Sequence, residues 1–223
     1  MSYKTDFIEF MVRSGVLTFG DFTAKSGRKT PYFVNTGNYK TAQMMSKLGG
    51  YYAAAIMENM KDKYDFLFGP AYKGIPLAVS AAVALYRDHN VDVPYCFNRK
   101  EEKDHGEGGS IVAHKPVSGQ RALVIEDVIT AGTAMRETID LFSAFDNVSI
   151  AGVIISVDRM ERGTGDKSAI QELQESHGII TYSIVNSREI MEHLHNLPVD
   201  GKVHIDDEMY KRMGDYLEAY GVK

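Results

Sequence analysis

The stretch LVIEDVITAGTAMRET, residues 123–138, decides how this chain is to be read. Residues 122–125 form an unbroken apolar run of the kind found in strands buried on both faces, and residues 134–145 place Met135, Ile139 and Phe142 at helical spacing. Two carboxylates and a run of small residues lie between them. The segment is therefore a strand-to-helix turn, and in open α/β sheets such turns at the carboxyl ends of strands are where ligands bind.

Working outward, further strand patterns fall at residues 66–68, 93–98, 150–157 and 179–185, with helical patterns at 77–86 and 169–176. Their alternation predicts a three-layer α/β fold, a mostly parallel sheet with helices on both faces. One connection departs from it. The segment RKEEKDHGEGGSIVAHKPVSGQ is charged and glycine-rich and has no apolar period for a crossover helix. Residues 111–114 are expected to return as an antiparallel strand, which needs only a loop, so the sheet should be mixed. Residues 17–35 and a helical 42–60 belong to a small N-terminal hood of about residues 1–60, and 205–220 reads as a closing amphipathic helix. The core then occupies about 61–223, with a mobile loop at about 99–110.

Composition limits the alternatives. The 223 residues are 44% hydrophobic, enough to bury the core of a single domain spanning 1–223. Cys96 is the one cysteine and cannot form an intramolecular disulfide. The start MSYKTDFIEF has neither a basic region nor an apolar run, and no run of about 18 apolar residues offers a membrane span. The expectation is a soluble cytoplasmic protein with no membrane partner. A net charge of −5 argues against a general nucleic-acid binder.

The turn has a chemical reading. Thr130, Ala131, Gly132 and Thr133 are small, so successive amides and two hydroxyls can surround a phosphate at the positive end of the following helix. Glu126 and Asp127 would repel that phosphate if aimed at it, so they suit hydroxyl groups, a metal ion or a carbon that becomes cationic. A sugar phosphate satisfies both halves. The turn lacks the lysine of a P-loop and the glycine spacing of a dinucleotide fold. In isolation, two acids at a strand end are equally an ordinary solvated turn.

Other stretches carry charge or flat surface. In FGPAYKGIP, Gly69, Pro70 and Gly74 allow an irregular turn that brings amides and Lys73 to a second anion. An ordinary Gly/Pro turn is the alternative. Arg99, Lys100, Lys103 and His105 cluster ahead of Gly106, Gly108 and Gly109, and could close over an anion and reopen; a merely mobile surface loop would read alike. In AKSGRKTPYF, Lys25 precedes a polar turn and the Phe33 ring could lie against a flat base or pack in the core. Arg159, after the strand at 150–157, offers a planar fork for an anionic ring, or for an ion pair with Asp158 or Glu161. The histidines at 177, 193, 195 and 204 form no metal-ligand pattern.

VIEDVITAGTA resembles the 5-phosphoribosyl-1-pyrophosphate (PRPP) signature of the type I phosphoribosyltransferases. FTAKSGRKTPYF, FGPAYKGIPLA and NRKEEKDHGEGG narrow the resemblance to the bacterial-type orotate phosphoribosyltransferase family, over about residues 22–162. The resemblance implies transfer of phosphoribose from PRPP to orotate, with magnesium carried mainly by PRPP and pyrophosphate and no metal held by protein alone. It places PRPP against Lys25, Tyr72, Lys73, Arg99, Lys100, Lys103, His105, Glu126, Asp127, Val128, Ile129, Thr130, Ala131, Gly132, Thr133 and Ala134. It places orotate against Lys25, Phe33, Val34, Thr130 and Arg159, and gives the catalytic roles to Asp127, Lys100 and Lys103. It further implies a homodimer whose active sites are shared across the interface. Two other functions keep the turn: transfer to a different base, and PRPP sensing by a regulator, which should add a DNA-binding module.

Overall fold

The computed structural model describes residues 2–24, 27–101, 109–130, 132–163 and 165–222. Its centre is a six-stranded sheet of β3 (Phe66–Gly69), β4 (Tyr95–Asn98), β5 (Ile111–Ala113), β6 (Arg121–Glu126), β7 (Ser149–Asp158) and β8 (Thr181–Asn186), in the order β5-β4-β3-β6-β7-β8. Four neighbouring pairs run parallel, whereas β5 lies antiparallel on β4 with Phe97 opposite Val112. The mixed sheet expected from the missing crossover helix is what forms.

Period-two alternation divides the sheet between two cores. Leu67, Leu123, Ile125 and Ile154 join one core with α1 (Tyr3–Arg13), α2 (Ala42–Asn59), α3 (Gly74–His89), α6 (Ser187–Leu194) and α7 (Asp207–Tyr220). Phe66, Phe68, Val124 and Ile155 face the other, closed by Met135 and Phe142 of α4 (Thr133–Ser143) and Leu173 of α5 (Ala169–His177). Continuous apolar runs are needed because the central strands are covered on both sides. A separate antiparallel pair, β1 (Leu17–Thr23) and β2 (Lys29–Val34), lies towards the N-terminal end, and a short hairpin, β9 (Pro198–Val199) with β10 (Lys202–Val203), lies ahead of α7.

Several boundaries depart from the sequence expectation for identifiable reasons. The strand expected at 93–98 begins at Tyr95, since Pro94 has no N–H for the ladder, although its carbonyl accepts from Leu67 N at 2.9 Å. The strand expected at 179–185 begins at Thr181, after Gly178 ends α5 in a left-handed conformation with φ 68°. The closing helix begins at Asp207 because the Asp206 carboxylate caps Met209 N at 2.8 Å. Helices α1 and α6 were not anticipated. Asn186 and Glu189 form a capping box for α6, a signal present in the sequence but placed immediately after a strand.

Candidate active site

β3, β6 and β7 all end on the same edge of the sheet, and the acids lie there. Glu126 closes β6 and Asp127 follows it, both buried. Their backbone is clamped: the Tyr52 hydroxyl donates to Glu126 O at 2.7 Å, and Ser156 donates to Asp127 O from its N–H at 2.9 Å and its hydroxyl at 2.7 Å. Lys73, at the start of α3, donates to Asp127 Oδ2 at 2.9 Å, and Thr36 donates to the same oxygen at 2.7 Å. The other carboxylate oxygen accepts from Val128 N at 2.8 Å, and Glu126 Oε1 accepts from Asp127 N at 3.0 Å.

These contacts set the two acids apart. Burial pushes the Glu126 carboxyl up to about 8, with neighbouring Asp127 adding to the shift and Lys73 opposing it. Burial would raise Asp127 as well, but hydrogen bonds from Thr36 and Lys73 outweigh it and hold that carboxyl below its ordinary range. The two neighbouring acids are thus shifted in opposite directions, Glu126 towards holding its proton and Asp127 towards carrying charge. A cavity of about 190 Å³ opens beside the pair, lined by Thr36, Tyr39, Tyr52, Lys73 and Ser156 among others.

The two turns expected to bind anions are built from backbone. Helices α3 and α4 begin after β3 and β6 with no side-chain cap, whereas Ser2, Thr41, Ser168, Asn186 and Asp206 cap α1, α2, α5, α6 and α7. In α3 the Gly74 N–H already donates to Pro70 O at 3.0 Å and Pro76 has no N–H, so the start of α4 is the better placed of the two to offer first-turn amides at the sheet edge. Gly132 precedes α4 in the left-handed region at φ 68°, where a Cβ would be strained. Gly69 and Gly74 meet where β3 turns into α3, since a Cβ on Gly69 would lie 2.3 Å from Gly74 O. Tyr72, next to Lys73, is exposed, and Val128, Ile129, Thr130, Thr133 and Ala134 complete the turn after the acids.

The other expected residues are placed as follows. Arg99 N donates to Ser110 O at 2.8 Å, closing the loop at its root, and Lys100 forms a 2.9 Å ion pair with Glu137 of α4. Lys103, His105, Lys25 and Ala131 lie outside the described residues. Phe33 is 39% exposed, so it is not the core residue its type would suggest; it stacks on Phe22 at 5.6 Å. Val34, by contrast, packs partly buried against the main core. The Arg159 guanidinium lies 2.6 Å from Glu161 and 5.3 Å above the Tyr32 ring. Of its two possible partners, Glu161 is thus the one it meets. Thr36, Tyr52 and Ser156 were not anticipated, because they reach the acids from separate elements and share no local motif.

Residues 35–183 match the phosphoribosyl transferase domain family. Orotate phosphoribosyltransferase of Clostridium acetobutylicum is 54% identical over 221 residues, 99% of each chain. The chain belongs to the orotate phosphoribosyltransferase family. The Pseudomonas putida member is 53% identical over 218 residues, covering 98% of this chain and 96% of its own. The crystal structure of the Francisella tularensis member, 38% identical, superposes with a TM-score of 0.84 over 97% of this chain and 99% of that one. Similarity to this family thus extends beyond the segment around Glu126 and Asp127, over nearly the whole chain. No described helix is long and apolar enough to cross a membrane.

Proposed function

We propose that this chain transfers the 5-phosphoribosyl group from PRPP to orotate, giving orotidine 5′-monophosphate and pyrophosphate in de novo UMP synthesis. End-to-end similarity to orotate phosphoribosyltransferases carries this reading. In the reaction the bond from ribose C1 to pyrophosphate oxygen breaks, its electrons leaving with pyrophosphate, while orotate N1, having lost its proton, bonds to C1. The ring becomes cationic as the leaving group becomes more anionic. The site must stabilise both.

Asp127 is the ionised member of the acidic pair and suits the ribose side, where it would hold hydroxyls and favour the cationic ring. Glu126, which burial shifts towards its protonated form, can when protonated donate a hydrogen bond there without adding charge. The uncapped start of α4, with Thr130, Gly132 and Thr133, suits the 5-phosphate, and Lys73 with the start of α3 suits pyrophosphate. Arg99, Lys100, Lys103 and His105 would add positive charge from the loop. On the base side we assign Lys25, Phe33, Val34, Thr130 and Arg159.

Among the described residues no group of three or more His, Cys, Asp or Glu could hold a metal ion. By family resemblance we assign magnesium mainly to oxygens of PRPP and pyrophosphate and to water, which suits its preference for oxygen ligands. When bound, it would supply positive charge to the departing pyrophosphate. We further assign a cytoplasmic location and a homodimer in which the loop of one chain completes the site of the other, both supported by the family resemblance. The test is a spectrophotometric assay of purified protein with orotate, PRPP and magnesium. Orotate consumption with stoichiometric pyrophosphate release is the expected result; none at any substrate concentration would overturn the reading.

A further inference from the structure

Thr36 occupies an unusual position at the site. Its hydroxyl donates to Asp127 Oδ2 at 2.7 Å and accepts from Lys73 Nζ at 3.2 Å, while Lys73 reaches the same carboxylate oxygen at 2.9 Å. A closed triangle joins a hydroxyl, a cation and a carboxylate, and its hydrogens are fully consistent: the one hydroxyl proton points to the acid and the lone pair faces the ammonium.

The corners differ in mobility. Lys73 stands on a long side chain that is 65% exposed, so it can turn towards an incoming anion without breaking packing. Thr36 cannot do the same. It begins a short 3-10 turn, Thr36–Asn38, tied down at both ends: Asn35 N donates to Val16 O at 2.8 Å, and the Asn38 side chain donates to Gly15 O at 2.7 Å. Asn35 also accepts from Gly37 N at 3.2 Å within the turn. As a β-branched residue on fixed backbone, Thr36 offers a stiff hydroxyl. The Thr36 hydrogen bond, with those of Lys73 and Val128 N, opposes the effect of burial and helps hold the Asp127 carboxyl below its ordinary range.

Resting on the function proposed above, we propose that Thr36 is a positioning residue: it holds Asp127 in its reactive orientation after Lys73 leaves for the pyrophosphate. The arrangement answers a requirement of the reaction. A leaving group that draws Lys73 competes with Asp127 for the ammonium, so as the lysine turns away the buried carboxylate would lose an anchor just as it is needed. A hydroxyl fixed to the α1–β1 turn supplies an anchor that does not move with the substrate. It also ties the acid to the chain that carries Phe33 and Val34 only a few residues earlier, linking the base side of the site to the ribose side.

The test uses the shape-preserving Thr36→Val and the hydroxyl-restoring Thr36→Ser in the full-length chain. Thr36→Val should lower kcat by on the order of tenfold to a hundredfold, the range for one lost hydrogen bond to a charged group, with KM for orotate and PRPP changed far less. Thr36→Ser should recover most of the loss, and both variants should melt close to the parent. Equal loss in Val and Ser, or an undiminished kcat in Val, would overturn the proposal. The second arm repeats Thr36→Val in a Lys73→Ala background. A persisting fall in kcat supports action after Lys73 has left; its disappearance would mean that Thr36 acts only through the lysine and would overturn it. Failure of the parent chain to consume orotate, in contrast, would strike the proposed function itself.

Discussion

Lys73 Nζ lies 2.9 Å from Asp127 Oδ2, yet the lysine side chain is 65% exposed and the aspartate side chain only 9%. The cation can leave and the carboxylate cannot follow it. An anion that draws Lys73 away would therefore leave the Asp127 charge in place.

Asp127→Asn should accordingly fold and lose turnover by on the order of a hundredfold or more, the scale for removing an electrostatic stabiliser aimed at a transition state. The amide keeps the shape and one acceptor for Thr36 but carries no charge. Initial rates with melting curves check this; a folded variant with parental kcat would remove Asp127 from the mechanism.

Glu126 gives a pH signature in stability. Burial raises its carboxyl in the folded protein to about 8, above its ordinary value of 4.5. Below that ordinary value both folded and unfolded chains hold the proton, and its contribution is fully present. Between the two values only the folded chain holds it, so stability declines as pH rises, and above about 8 the loss is complete. Glu126→Gln, which cannot titrate and retains an acceptor for Asp127 N, should show a flatter stability profile from about pH 5 to 8 and should melt above the parent at pH 8.5. Each 1 kcal/mol recovered is worth roughly 2–4 °C in a domain of this size. Parallel profiles for the two proteins would assign the proton elsewhere.

Arg159 is held by Glu161 and lies over Tyr32, so its two possible roles need separating. Arg159→Lys keeps a positive charge for Glu161 but loses the planar fork. KM for orotate should rise about tenfold or more, the cost of a lost hydrogen bond to a charged group, while KM for PRPP stays within about twofold. Arg159→Ala should repeat the effect on orotate and also lower the melting temperature, since it leaves Glu161 without its partner. If Lys behaves as the parent and only Ala fails, Arg159 serves the ion pair and not the base.

The shared site can be tested by complementation. Lys103→Ala and Asp127→Asn chains are each expected to be nearly inactive, and allowing their dimers to exchange should restore activity. With a loop that crosses the interface, a heterodimer places both lesions in one site and leaves the other intact. Verified heterodimers with no recovery would show that each chain supplies its own loop.

Local sequence determined much of this protein. The apolar run ending in Glu126 and Asp127, the small residues after it and the helical period beyond specify a strand, a tight turn and a helix, because each follows from chemistry between near neighbours. The missing crossover helix likewise revealed an antiparallel β5. Tertiary structure decided how the two acids differ. Nothing in the dipeptide says which acid is shifted which way; that follows from Thr36 and Lys73, residues brought from two other elements to one oxygen of Asp127, while Glu126 receives burial without those donors. The same holds for the backbone clamp from Tyr52 and Ser156, and for Arg159 meeting Glu161 with Tyr32 beneath it. Hydrogen bonding and desolvation depend on distance in space, and residues far apart in the chain acquire those distances only when the sheet and its helices have packed.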